Sequence, residues 1–311
     1  MAIACVDWRE VDQGCLAAIY AAEIRRWSDV LGWDTASSWG HIELGRRLGT
    51  VSGLCALDAA GATAGWTFFL RHHDVLQVGG FLAASDDATA ALLDGILASD
   101  TAARARSVTF FAFTDAPGLT DALAHRGFTV VRYTYLAKPL VAEPHRPSPD
   151  VRSWRADDAR AVARLLASAY PMADQGRPFA PCGTAQEWQE YVGQIVNASG
   201  CGTIMPDASF VAPNGEDCLA GTILVTQLAA ATAHVAQIAV DPVAERRGLG
   251  RLLIGAACAN AREAGCARMT LLVDDRNVRA RRFYAHAGFV AVAGFVSAGT
   301  RNLKSELRSQ N

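Results

Sequence analysis

Two stretches far apart in this chain follow one pattern: Asp121-Ala-Leu-Ala-His-Arg-Gly127-Phe128 and Arg282-Phe-Tyr-Ala-His-Ala-Gly288-Phe289. Each follows an apolar strand, Val108 to Phe113 in one case and Met269 to Val273 in the other. Earlier segments match as well. Val6-Asp-Trp8-Arg9 leads into an apolar helical stretch, Val11 to Ala22, and Val151-Arg-Ser-Trp154-Arg155 leads into another, Ala161 to Ala169. A repeated pattern calls for a repeated structural unit. Within each half the order is strand, helices, several strands, a long helix, a strand, a helix and closing strands, which is the pattern of a mixed α/β sheet. We therefore expect two copies of one fold, residues 1–141 and 151–311. The linker expected between them, 142–150, contains three prolines and no apolar periodicity, as suits a semi-stiff spacer.

The second copy carries the chemistry-bearing turn. Residues 240–251 read Val-Asp-Pro-Val-Ala-Glu-Arg-Arg-Gly-Leu-Gly-Arg, a strand end that runs through a basic turn into the helix at Leu252-Leu253. Gly248 and Gly250 let backbone approach an anion closely, and the first amides of a helix have no internal partner. Arg246, Arg247 and Arg251 add positive charge. The turn also follows the C-terminal end of an apolar strand, Val235 to Val240, where open α/β sheets place ligands. Alone, an Arg-Gly-x-Gly turn is also compatible with an ordinary strand-to-helix connection.

A second segment, Asn277-x-x-Ala280-x-x-Phe283-Tyr284-x-x-x-Gly288-Phe289, follows in the same half. Together, in this order, the two segments resemble the acetyl-CoA site of the GNAT superfamily of N-acetyltransferases, in a tandem two-domain arrangement similar to mycothiol synthase. The resemblance implies two acyl-CoA N-acyltransferase folds. It implies that Arg246, Arg247, Gly248, Leu249, Gly250 and Arg251 hold the coenzyme A pyrophosphate, and that Asn277, with Arg281 beside it, contacts the cofactor. Ile238, Ala239 and Val240 would pair their backbone with the pantetheine amides as though the cofactor were an added strand. Tyr284 would face the thioester sulfur. Glu245 departs from the family, which usually has Gln or Arg there; its charge opposes phosphate unless it turns away or pairs with an arginine.

The chemistry calls for the same residue types. When an amine attacks a thioester, coenzyme A leaves as a thiol or thiolate with a pKa near that of cysteine, about 8.5. A phenol, with a reference pKa of about 10, can assist that departure as a donor at neutral pH. Tyr284 shares a helix face with Ala280, Phe283 and Ala287, so periodicity alone also admits a core residue. The attacking amine must lose a proton. On the strand Thr232 to Val240 only His234 titrates near neutrality. In the related mycothiol synthases an acidic residue at about this place is thought to be the base, which makes His234 the candidate; its other reading is a structural hydrogen-bond partner.

Composition narrows the alternatives. Lys+Arg 29 against Asp+Glu 31 gives a net charge of −2, which does not favour nucleic acid. The N-terminal residues have no basic stretch followed by an apolar segment, and no run approaches membrane-spanning length, so the expectation is a cytoplasmic protein without a membrane partner. Eight scattered cysteines with no Cys-x-x-Cys pair suit reduced thiols better than a metal site or a disulfide framework.

The first copy lacks the machinery. In place of the basic turn it has Gly79-Gly80 and then Ser85-Asp86-Asp87, whose carboxylates satisfy a helix N-terminus and repel phosphate. Leu123 falls opposite Tyr284 and Ala116 opposite Asn277. Its role is then to pack against the active copy or wall its acceptor cleft, although Gly79 and Gly80 leave room for a ligand. Two copies packed like homologous subunits would make a monomer an internal pseudo-dimer. For the acceptor, the loop 170–182 offers Asp174 for an ammonium and Arg177 for a carboxylate, or both as solvated charges; Trp27, Trp33 and Trp39 line a cleft or fill a core. The expected function is an N-acetyltransferase that transfers the acetyl group of acetyl-CoA to a primary amine of a small molecule by direct attack, with Tyr284 as general acid. The rivals are a non-catalytic acyl-CoA-binding or regulatory protein and, less favoured, an aminoacyl or long-chain acyl transferase.

Overall fold

The computed structural model describes residues 3–142, 148–170, 172–174, 177–197, 201–215 and 218–301. The middle of the expected linker, 143–147, and Pro171, Gln175 and Gly176 of the acceptor loop lie outside the described residues. The first half runs β1 (Ala4–Asp7), α1 (Gln13–Arg26), a π-helical turn (Trp27–Leu31), α2 (Ala36–Arg47), β2 (Ser52–Leu57), β3 (Thr63–His72), β4 (Val75–Ala83), α3 (Asp86–Ala98), α4 (Asp100–Ala103), β5 (Ser107–Phe113), α5 (Leu119–His125) and β6 (Thr129–Pro139). The second half repeats that order: β7 (Arg152–Ser153), α6 (Ala159–Ala169), α7 (Ala185–Asn197), β8 (Thr203–Ile204), β9 (Phe210–Pro213), β10 (Leu219–Ala229), β11 (Thr232–Val240), α8 (Leu249–Glu263), β12 (Arg268–Asp274), α9 (Val278–His286) and β13 (Val290–Arg301). The fold is thus two tandem GNAT-type α/β units.

All thirteen strands belong to one sheet, with β13 and β6 at its centre. Neither half pairs its last strand with its own preceding one. Strand β13 lies antiparallel to β5 of the first half, with Phe295 opposite Phe113. Strand β6 lies antiparallel to β12 of the second half, with Leu136 opposite Leu271. The two then pair with each other, Phe295 opposite Tyr133. Both last strands are therefore exchanged between the copies.

The cores follow the exchange. Val296 and Ala298 of β13 pack among Leu92, Phe110, Leu123 and Phe128 of the first half. Leu136 of β6 packs among Leu253, Met269, Leu271, Tyr284 and Phe289 of the second. Each copy completes its core with apolar side chains from the other, the dominant favourable term in folding.

In each half the parallel pair at the active end comes apart. Strand β11 pairs with β12 only from Thr232–Arg268 to Val235–Leu271, and β4 pairs with β5 only from Val75–Ser107 to Val78–Phe110. A bulge marks each departure, at Ala236 opposite β10 and at Gly79 opposite β3, since an extra residue bends the strand that carries it. In the first half Phe68 lies over this bend. A Cβ on Gly79 would come within 2.4 Å of its ring and one on Gly80 within 2.8 Å, so the glycine pair makes room for Phe68.

Candidate active site

The phosphate-type turn is built as an anion site. Gly248 caps α8 at φ 81° with no side-chain cap, and nothing stands within 4 Å of a Cβ placed there. Arg246 is also left-handed at φ 63°. Left-handed residues in a turn of this kind curl successive amides into an anion-binding concavity, and the uncapped amides of a fifteen-residue helix add their dipole. Among the described residues Arg246, Arg247, Arg251 and Arg281 make no ion pair, so their charge is uncommitted. Glu245 is held by Arg279 of α9, which partly neutralises the one unfavourable charge in the turn. The first half offers the opposite: Ser85 caps α3 by accepting from the Ala88 amide at 3.2 Å, with Asp86 and Asp87 in the first turn.

A cavity of about 1960 Å³ opens from this turn. Its lining includes Ile238, Ala239 and Val240 of β11, Arg246, Gly248, Leu249, Gly250 and Arg251 of the turn, Asn277, and both His234 and Tyr284. Arg247 and Arg281 do not line it. The backbone of 236–240, past the point where β12 leaves, forms one edge of the opening. These features suit coenzyme A, an extended chain of amides ending in a pyrophosphate. Asn277 caps α9, accepting from the Ala280 amide at 2.9 Å, which fixes the side chain with its amide nitrogen still available to a ligand.

Tyr284 packs against Phe283 and Phe289 and is 7% exposed. Its hydroxyl makes no hydrogen bond among the described residues, and it is not one of the sealed polar atoms that lack a partner. It therefore opens into the cavity that the residue lines. Burial, with Tyr170 nearby, pushes its pKa well above the usual phenol value, which keeps the proton on.

His234 is different. Its Nδ1 bonds Thr270 Oγ1 at 2.9 Å, and its ring stacks on Tyr135 at 5.8 Å and meets Trp33 at 6.5 Å. This burial lowers its pKa to about 4. Burial therefore favours the neutral ring. His234 thus lines the cavity as a neutral ring hydrogen-bonded to Thr270.

The acceptor loop also departs from expectation. Arg177 is buried; its Nε donates to the carbonyls of Phe179 at 3.0 Å and Ala180 at 3.2 Å, and its guanidinium sits 5.0 Å over the Trp188 ring. It clamps the loop through these carbonyls, so it is not a solvated charge, and it also lines the cavity. Asp174 pairs with Arg276, which also pairs with Asp274. Trp27, Trp33 and Trp39 all line the cavity, with Tyr170, Phe179 and Tyr191 from the second half. Tyr191 donates to the Ala236 carbonyl at 3.2 Å, steadying the bulge. Among the described residues no group of three or more His, Cys, Asp or Glu is placed to hold a metal ion, and no helix is long and apolar enough to cross a membrane.

Residues 160–289, which contain the turn, the open strand edge and Tyr284, match the acetyltransferase (GNAT) family. The match covers less than half of the chain and falls entirely in its second half. Proteins of the family use acetyl-CoA. Over 80 residues the chain is 39% identical to a mycothiol acetyltransferase of Beutenbergia cavernae, a stretch that covers 26% of this chain and 27% of that protein. Two solved structures share the GNAT fold. A GCN5-related N-acetyltransferase from Sphaerobacter thermophilus superposes with a TM-score of 0.54 at 17% identity over 80% of each chain. A tandem GNAT protein from the clavulanic acid biosynthesis pathway gives 0.50 at 15% identity over 81% of this chain and 82% of that one.

Proposed function

We propose that this protein is an N-acetyltransferase that passes the acetyl group of acetyl-CoA to a primary amine of a small molecule, with residues 151–311 as the catalytic copy and 1–141 as a degenerate one, joined through 142–150. The observation that carries the reading is the unpaired Tyr284 hydroxyl, which opens into the same cavity as the uncapped start of α8 and the free edge of β11. Bound acetyl-CoA would supply an activated acyl carbon and a sulfur leaving group. The turn amides with Arg246 and Arg251 hold the pyrophosphate, the backbone of Ile238 to Val240 aligns the pantetheine arm, and Asn277 orients it through its amide nitrogen. Tyr284, kept protonated by burial, donates to the sulfur as charge builds there. The amine gives its proton to His234, which lines the same cavity, or through water to the solvent of the open cleft.

Coenzyme A release measured with a panel of amines, for the wild type and Tyr284→Phe, tests this. Turnover by the wild type, with a large loss in Tyr284→Phe and unchanged acetyl-CoA binding, supports the assignment. Binding of acetyl-CoA without turnover of any amine by either form identifies a CoA-binding protein instead.

A further inference from the structure

Four of the six tyrosine hydroxyls are committed within the protein. Tyr20 donates to Glu43 at 3.2 Å, Tyr135 to the Leu31 carbonyl at 3.2 Å, Tyr170 to the Ile238 carbonyl at 3.5 Å, and Tyr191 to the Ala236 carbonyl. The remaining two are Tyr284 and Tyr133, and both line the same cavity. Tyr133 is only 5% exposed, yet its hydroxyl has no hydrogen bond among the described residues. The sealed side-chain atoms without a partner are four indole nitrogens and Thr226 Oγ1, so the Tyr133 hydroxyl reaches the cavity. The hydroxyl is thus free to meet a ligand in the cavity.

The surroundings indicate what kind of ligand. Tyr133 stands opposite Asp274 in the β6–β12 ladder. Asp274 and Asp174 both lie near enough to raise its pKa, and Arg276 pairs with both carboxylates and so holds them side by side. Arg177, also within reach, is spent on the carbonyls of its own loop. A hydroxyl oxygen beside two carboxylates is a receptor for a small cation that donates hydrogen bonds, and a primary ammonium is such a group. Tyr133 belongs to the first half and arrives on the exchanged strand β6.

We propose that Tyr133, Asp274 and Asp174 form the seat of the acceptor's ammonium group, so that the copy without catalytic residues supplies a substrate-binding side chain to the other copy's reaction. The proposal rests on the acetyl-transfer reading, and its test separates the two. Glucosamine and tryptamine serve as probe amines, one with a sugar body and one with an aromatic body. In Tyr133→Phe the KM for the amine rises about tenfold, while the KM for acetyl-CoA stays within about twofold and the melting temperature is unchanged. In protein labelled with [13Cζ]tyrosine and loaded with CoA, the Tyr133 resonance, assigned by its loss in Tyr133→Phe, shifts when a probe amine is added; Asp274→Asn weakens that shift. A shift without CoA release keeps the seat and removes the acetyl-transfer reading. Absence of any shift with both amines, or an amine KM unchanged in Tyr133→Phe, overturns the proposal.

Discussion

Arg279 of α9 reaches across to Glu245 and pairs with it at the mouth of the anion turn. This contact gives the one acidic residue of the basic turn a partner of opposite charge. Both groups are partly exposed, so the pair itself contributes little stability. In Arg279→Ala the Glu245 charge faces the ligand unopposed, and the Kd for coenzyme A rises roughly three- to tenfold by calorimetry. Adding Glu245→Gln restores most of the loss; a double variant as weak as Arg279→Ala would show that the arginine contacts the ligand itself.

Gly248 carries a backbone requirement without a packing one. Its φ is 81° and nothing lies near an added Cβ, so Gly248→Ala costs about 1–2 kcal/mol, the left-handed penalty alone. Chemical unfolding reads that loss directly. Because relief of the strain distorts the turn, coenzyme A affinity falls with it, whereas Gly215→Ala, at a left-handed site far along the chain from the turn, lowers stability and leaves affinity intact.

His234 gives the fold an acid sensitivity. Its folded pKa of about 4 lies below the ordinary 6.5, so between those values the unfolded chain binds a proton that the folded chain excludes. Its contribution is complete above pH 6.5 and is lost as pH falls toward 4, about 3 kcal/mol in all. Urea unfolding at pH 7 and pH 4.5 should show this difference, and His234→Gln should reduce it. An equal drop in the variant would assign the acid sensitivity to other groups.

The turn at 246–251 and the segment with Asn277 and Tyr284 were legible because each is a contiguous stretch whose chemistry depends on local backbone. The exchange of β6 and β13 was not. Both strands are apolar and follow similar helices, and nothing in their alternation states which copy of the preceding strand each will join. What depends on that choice was hidden with it: Tyr133 on the cavity wall, and Tyr135 stacked on His234, where burial lowers the basicity that the residue type implies. Arg177 was misread for a related reason. A charged residue in a Gly- and Pro-containing loop reads as solvated, and only the folded loop shows the carbonyls that converge on it.

Because the central strands are shared, the halves should not melt separately. Ser297, 2% exposed, lies between Phe111 of β5 and Val131 of β6. Ser297→Pro breaks the ladder there and costs about 3 kcal/mol or more. Calorimetry should show one transition for the wild type and one, at lower temperature, for the variant. Two resolved transitions in the wild type would contradict the interlocked core.

The crossing of β6 and β13 also bears on how the chain is made. On the ribosome, β5 emerges well before its neighbour in the finished sheet, residues 290–301, which follows only after the whole of the second copy's other elements. Until then the first half presents an open, apolar strand edge of the sort that invites aggregation. Between the synthesis of β5 and that of β13 this edge has to be covered in some other way, and transient pairing of β5 with β6 would do so.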